Sequence, residues 1–295
     1  MTEPLISQFL NYLSYQRKYS QHSIISYRTD LLQFENYLKE SFEIASIHLA
    51  ERVHVRSWLS QLNSNNISPA TLKRKVSSLK SFYNFLMRET LIQFNPAARI
   101  ATPKLPKRLP VFVSQKEINQ VLDNSPEPLS FNEIMITTLI AALYHTGMRL
   151  SECINLLETN VDLERKTIKV LGKRNKERYI PITQELNDLF NAYLQQKKLE
   201  NIASDFLFCT IKRSKLYPEF VYRKVKAVLS EQTRSKKNSP HVLRHSIATH
   251  LLHNGADLNS IKELLGHSQL AATQIYTHNN IEELIKTYKQ THPKS

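Results

Sequence analysis

Glycine, cysteine and long apolar runs are all scarce in this chain, and each scarcity excludes something. Only four glycines occur in 295 residues, Gly147, Gly172, Gly255 and Gly266, where average usage would give about twenty. No extended low-complexity segment and no repeat of solenoid length is present. Two cysteines, Cys153 and Cys209, stand far apart without a CxxC pair, which argues against a disulfide framework and a cysteine zinc site and fits a reducing compartment. The longest nearly apolar run is Ile134–Tyr144, too short for the roughly 20 residues of a membrane span. The opening residues Met1-Thr-Glu-Pro4 show no basic-then-apolar leader. A cytoplasmic, nucleoid-associated protein without membrane contact is the expectation.

What is abundant is positive charge. Forty Lys and Arg face 26 Asp and Glu, for a formal net charge of +14. Cutting the chain at Lys107 leaves +7 on each side. A basic tail on a neutral body is thereby excluded, and two basic bodies that could both face a polyanion fit. Asn95–Val113 contains Pro96, Pro103, Pro106 and Pro110, and repeated prolines favour extended backbone. The expected organisation is a helical domain over 1–100, a Pro-rich linker over 101–113, a second domain over 114–279 and a C-terminal segment over 280–295.

Periodicity predicts a mainly α protein with a small antiparallel β-sheet. Ile24, Tyr27, Leu31, Phe34 and Leu38 form one helical stripe, as do Leu72, Val76, Leu79, Tyr83 and Leu86 after the N-cap signal Ser68-Pro69. Lys73, Ser77 and Lys80 lie on another face of the second helix, which makes a solvated side basic. Further helices are expected over 132–145, 184–196, 219–229 and 240–254. Residues 166–170 and 178–182 read as two strands joined by the polar turn Gly172-Lys173-Arg174-Asn175-Lys176-Glu177, and 233–239 as a loop.

Three glycines follow helical patterns and read as C-caps, and polar side chains stand just beyond them: Arg149 after Gly147 and His267 after Gly266, with Lys173 after Gly172. His241 and Arg244 are three apart and share a helix face, while Leu243, Ile247 and Leu251 point elsewhere. Tyr276 follows His267 by nine residues. Taken singly these residues have ordinary explanations: Arg149 as ion-pair partner of Glu152, Tyr276 as a packing residue among 13 tyrosines, His250 and His253 as core or surface residues. His241 and His245 have a spacing that suits two metal ligands, but no Glu stands where a zinc hydrolase motif requires one.

Together they suit metal-free transesterification of a phosphodiester. Two guanidiniums match phosphate oxygens and stabilise extra charge on a pentavalent transition state. A tyrosine hydroxyl is a nucleophile that positive surroundings assist. A lysine can protonate a leaving alkoxide, and histidines can donate to phosphate or move protons.

These boxes resemble the tyrosine recombinase family. They read His145-Thr-Gly-Met-Arg149-Leu-Ser-Glu152, Leu171-Gly-Lys173-Arg-Asn-Lys-Glu-Arg178, Ser239-Pro-His241-Val-Leu-Arg244-His245, Leu264-Leu-Gly-His267-Ser and Thr273-Gln-Ile-Tyr276-Thr-His278. The resemblance covers nearly the whole chain, and length and boxes are closest to bacterial Xer recombinases. One departure is Arg174, where the family pattern has Gly.

The resemblance implies a helical core-binding domain and a catalytic domain forming a C-shaped DNA clamp. It implies Tyr276 as the nucleophile of a 3′-phosphotyrosine intermediate and Arg149, Arg244 and His267 on the scissile phosphate. Lys173 becomes the general acid and His241 an acid–base partner. Neither metal nor ATP is needed. Lys73, Arg74, Lys80, Arg174, Lys176 and Arg178 are the expected DNA contacts. The partners it suggests are double-stranded DNA with an inverted-repeat site and a synaptic tetramer, with a second Xer-type recombinase and a DNA translocase of the FtsK type left open. Ile281, Leu284, Ile285 and Tyr288 form a terminal stripe with two alternatives, docking on its own protomer or, as the resemblance suggests, into the neighbouring one. Chromosome-dimer resolution at a dif-like site is favoured over integration or excision of a mobile element. A non-catalytic DNA-binding regulator and a type IB topoisomerase are the remaining rivals.

Overall fold

The computed structural model describes residues 3–102, 111–123, 130–172, 177–235, 238–266, 287–288 and 290–294. The chain divides into two units, Met1–Arg108 and Leu109–Ser295.

The first unit is helical. Helix α1 (Glu3–Asn11) runs into a wider π turn over Tyr12–Gln16 and is followed by α2 (Gln21–Phe42), α3 (Arg52–Ser64) and α4 (Pro69–Arg88). Ser20 and Ser68 open α2 and α4 by accepting the backbone N–H of Ser23 and Thr71, and Pro69 supplies the first helical position of α4, where its missing N–H costs nothing. The stripes read from the sequence are the ones buried: Leu31, Phe34 and Leu38 meet Val76, Leu79, Tyr83 and Leu86, with Phe9 and Trp58 filling the centre.

One polar cluster lies inside this unit. Asp30 on α2 is fully buried and accepts hydrogen bonds from Lys75 at 3.0 Å and Ser78 at 2.8 Å, and from Arg74. All three donors come from α4. A buried carboxylate is tolerated only when its oxygens are satisfied, so these bonds set how α2 meets α4.

The second unit contains α5 (Gln115–Asp123), α6 (Phe131–Thr146), α7 (Leu150–Ile154), the strands β1 (Val161–Asp162), β2 (Thr167–Leu171) and β3 (Glu177–Pro181), then α8 (Gln184–Leu199), α9 (Pro218–Gln232), α10 (Pro240–His253) and α11 (Leu258–Leu265). The strands form an antiparallel sheet in the order β1-β2-β3, with Val170 opposite Arg178 and Leu171 opposite Glu177. Helix α6 is capped at both ends, by Ser130 with Glu133 in a reciprocal box and by Gly147 in the left-handed conformation. It is apolar on every side because it forms the centre of the core, packed against α8 and α10.

Residues on either side of the proline stretch are packed. Ala97 and Ile100 are buried in the first core. Val113 is buried in the second, its N–H donating to Ser246 Oγ at 2.8 Å. A proline run limits backbone geometry, but it does not prevent the residues beside it from packing.

The chain's end packs on the second unit. Tyr288 is 3% exposed and donates from its hydroxyl to the His145 carbonyl oxygen at 2.9 Å. The His292 ring stacks on His145 with centroids 4.9 Å apart. Lys294 reaches Asp123 and Glu185, both at 2.9 Å. These residues pack on their own chain through the buried tyrosine and the two ion pairs. Removing 280–295 would therefore strip the second unit of part of its core as well as any contact between protomers. Ile281, Leu284 and Ile285 lie outside the described residues.

Among the described residues no helix is long and apolar enough to cross a membrane.

Candidate active site

Three arginines from three different elements converge on the C-terminal end of α11. Arg178 Nε donates to the Leu264 carbonyl at 3.1 Å, Arg244 Nη2 to Leu265 at 2.7 Å and Arg149 Nη2 to Gly266 at 2.7 Å. A helix leaves its last carbonyls unpaired and carries partial negative charge at that end. Here three successive carbonyls are satisfied by guanidiniums, and His267 is the next residue in sequence.

Each arginine is placed by local chemistry. Arg149 is the N-cap of α7, directly after the left-handed turn at Gly147 and Met148. Its backbone N–H donates to Glu152 Oε2 at 2.7 Å and its Nη1 to Glu152 Oε1 at 2.7 Å. The ion pair suspected from the three-residue spacing therefore exists, and it is part of the cluster. Arg244 projects from α10, one turn after Pro240, and its Nη1 donates to the Gly147 carbonyl. A Cβ at Gly147 would come within 2.5 Å of Leu265 and 3.2 Å of Ile247. Only glycine lets α6 end this close to α10 and α11.

Glu152 is shared by two of the three guanidiniums, those of Arg149 and Arg178. Burial pushes the Glu152 carboxyl up, but the hydrogen bonds and charges of Arg178 and Arg149 outweigh it and hold it below the ordinary range. Burial, followed by the neighbouring Arg149, pushes Arg244 down to about 10, so it remains a cation at neutral pH. A phosphodiester brings one negative charge, and its pentavalent transition state two. Cationic donors fixed before the reaction favour the more highly charged transition state over the ground state.

His241 lies in the first turn of α10 and is exposed, one turn before the half-buried Arg244. Lys173, Arg174, Lys176, His267 and Tyr276 lie outside the described residues.

Arg178 does not stand where a DNA contact would. It is 5% exposed, and both arms of its guanidinium are on Glu152 at 2.9 Å. The sequence shows it only as one more cation beside a basic turn. In the first unit Lys73 is exposed, Arg74 is on Asp30 with its side chain 46% exposed, and Lys80 donates to the Ile100 carbonyl at 3.2 Å. His250 is buried, with Nδ1 2.9 Å from the Tyr144 hydroxyl. Among the described residues no group of three His, Cys, Asp or Glu side chains could hold a metal ion.

The cluster gathers cationic donors of the kind that stabilise charge on a transferring phosphoryl group, and comparison with known proteins gives the class. The chain belongs to the phage integrase family of tyrosine-type site-specific recombinases: residues 111–283 match the Phage integrase family and residues 6–90 its N-terminal SAM-like domain. It is 36% identical to the tyrosine recombinase XerC of Halalkalibacterium halodurans, over 98% of this chain and 97% of that one. It is 35% identical to XerC of Bacillus subtilis, over 98% and 96%. Among solved structures, the XerH site-specific recombinase bound to its palindromic difH substrate, in a post-cleavage complex, superposes with a TM-score of 0.72 at 26% identity, covering 95% of this chain and 83% of that one.

Proposed function

We propose that this recombinase resolves chromosome dimers by recombination at a dif-like site, forming a 3′-phosphotyrosine link through Tyr276 and passing through a Holliday junction. The observation that carries the reading is similarity over almost the full length to proteins named tyrosine recombinase XerC. In this reading Arg149 and Arg244 hold the non-bridging oxygens of the scissile phosphate, and His267 joins them from the residue after Gly266. Tyr276 attacks phosphorus, Lys173 protonates the leaving 5′-oxygen, and His241 exchanges a proton with the tyrosine or the phosphate. The phosphodiester energy is kept in the protein–DNA bond, so the chain itself needs no metal or ATP.

The substrate is an inverted-repeat duplex clamped by both basic units within a synaptic tetramer. A second Xer-type recombinase and a DNA translocase of the FtsK type are the further partners. The exposed Lys73 and Arg74, with Lys80, Arg174 and Lys176, contribute backbone contacts. Affinity then falls steeply with salt as phosphate contacts release counterions.

The test traps covalent protein–DNA adducts in cells expressing the wild type or Tyr276→Phe and sequences the attached DNA. Tyr276-dependent adducts at one chromosomal site are expected. Adducts at the ends of a mobile element would replace chromosome resolution with integration or excision. Adducts that persist in Tyr276→Phe would remove the nucleophile from this scheme.

A further inference from the structure

We propose that Arg178 is a positioning residue for strand cleavage: its guanidinium fork locks Glu152, and Glu152 in turn aims Arg149 at the scissile phosphate. The inference rests on the recombinase chemistry above and deepens it.

The geometry leaves Arg178 no direct role. Its Nε and both Nη atoms donate within the protein, to Leu264 O at 3.1 Å and to the two Glu152 oxygens at 2.9 Å each. At 5% exposure it offers no surface to DNA. Glu152 is equally committed, because its two oxygens also accept the Arg149 backbone N–H and Nη1 at 2.7 Å. One carboxylate thus joins two arginines from distant parts of the chain. A third arginine, Arg244, holds the carbonyl between theirs.

Stability alone is a poor reason for such an arrangement. A buried ion pair loses most of its Coulombic gain to desolvation, and apolar side chains of similar volume often pack as well. What a forked pair supplies is direction. Arg178 stands on β3 opposite Val170, on the strand pair that flanks the turn carrying Lys173. Through Leu264 it also holds the helix end that precedes His267. The same guanidinium therefore ties the strand after the lysine turn, the α11 terminus and Arg149 into one unit. Gly266 makes room for it, since a Cβ there would lie 3.0–3.2 Å from the guanidinium.

The experiment uses the full-length chain and a nicked duplex carrying the site recovered by Tyr276-dependent trapping. Single-turnover adduct formation, DNA retention and thermal melting are measured on each protein. Arg178→Met is expected to slow adduct formation about a hundredfold, the scale of a small misplacement of a catalytic group, with DNA retention unchanged. Arg178→Lys keeps the charge and an ion pair to Glu152 but has no fork, and the same slowing is expected. The double variant Arg178→Met with Glu152→Gln should be no slower than the worse single variant, because both act through Arg149.

Wild-type cleavage by Arg178→Lys would overturn the proposal, since charge alone would then suffice. A parallel fall in DNA retention and cleavage would make Arg178 a DNA contact instead. If neither variant folds, or if folded variants cleave at the normal rate, Arg178 is structural only. A wild-type chain that forms no adduct on this duplex would remove the recombinase reading and this inference with it.

Discussion

Arg149 and Arg244 donate to adjacent carbonyl oxygens, those of Gly266 and Leu265, each at 2.7 Å. The two guanidiniums are thereby fixed side by side at the end of one helix, although 95 residues separate them in sequence. Arg149 is held further by Glu152 and Arg244 by the Gly147 carbonyl. A phosphate seated between them would meet donors already oriented, and little reorganisation would remain for the transition state.

Lysine cannot reproduce this arrangement at either position. Arg149→Lys and Arg244→Lys each keep a positive charge but lose the fork that spans carbonyl and phosphate. Single-turnover cleavage is expected to fall by about 10²–10³-fold in each, the range seen when one preorganised donor is removed from a transition-state site. DNA retention should persist, because most affinity comes from other phosphates. A lysine variant that cleaves at the wild-type rate would show that charge, not oriented donors, drives the chemistry.

Gly266 and Gly255 both have positive φ, +66° and +90°, but differ in their surroundings. A Cβ at Gly255 meets nothing within 4 Å, whereas at Gly266 it meets the Arg178 guanidinium. Gly255→Ala should therefore cost only the backbone penalty, about 1–2 kcal/mol, and leave cleavage unaffected. Gly266→Ala should add displacement of Arg178 and slow adduct formation well beyond Gly255→Ala. Urea melts and cleavage rates on the pair separate the two effects, and equal cleavage rates would mean that Arg178 yields without consequence.

The positions of Arg149 and Arg244 were legible in the sequence, for reasons that depend on spacing. Arg244 three residues after His241, and Arg149 two after a helix-capping glycine, are patterns that helical geometry turns into position. The stripes of α2 and α4 and the pair β2–β3 were readable in the same way. Long-range pairing was not. Glu152 and Arg178 meet across 26 residues of sequence, and nothing local to Arg178 marks it as buried. Read locally, it is a cation beside a basic turn, which suggests DNA. The docking of Tyr288 is similar, since a terminal apolar stripe states that it must be covered but not by which chain.

Asp30 gives the first unit a specific vulnerability. It is fully buried, and Lys75, itself 5% exposed, depends on it for charge compensation. Asp30→Ala leaves that ammonium buried and removes the acceptor for Arg74 and Ser78. A loss of about 3–5 kcal/mol is expected, as for removing one partner of a buried ion pair. Replacing Asp30 and Lys75 together by Leu and Met should recover much of it. Urea denaturation of the full chain, with a probe in the first unit such as Trp58, measures both variants. A loss confined to Asp30→Ala and absent from the double variant is the expected pattern, and equal losses would place the stability in the shape of the site instead of its charge.

The docked terminus should loosen in acid, and the sign follows from His292. Its ring is buried against His145, Tyr144 and Tyr288. Burial, with a smaller contribution from His250 and Lys294, pushes its pKa down to about 3, although a hydrogen bond with the His145 backbone opposes this. His145 is likewise pushed down, by burial and then by His292 and Lys294. Docked, His292 stays neutral; released into water it titrates near the ordinary value of 6.5. The released state therefore binds more protons, and docking weakens as pH falls below about 6.5, by about 1.4 kcal/mol per pH unit for one histidine. Hydrogen exchange across 287–294 should rise about tenfold per unit between about pH 6 and 5, after correction for the intrinsic rate. His292→Phe, which keeps a ring against His145, should flatten the dependence, and a terminus equally protected at pH 5 and 7.5 in the wild type would show that the buried histidines do not control its release.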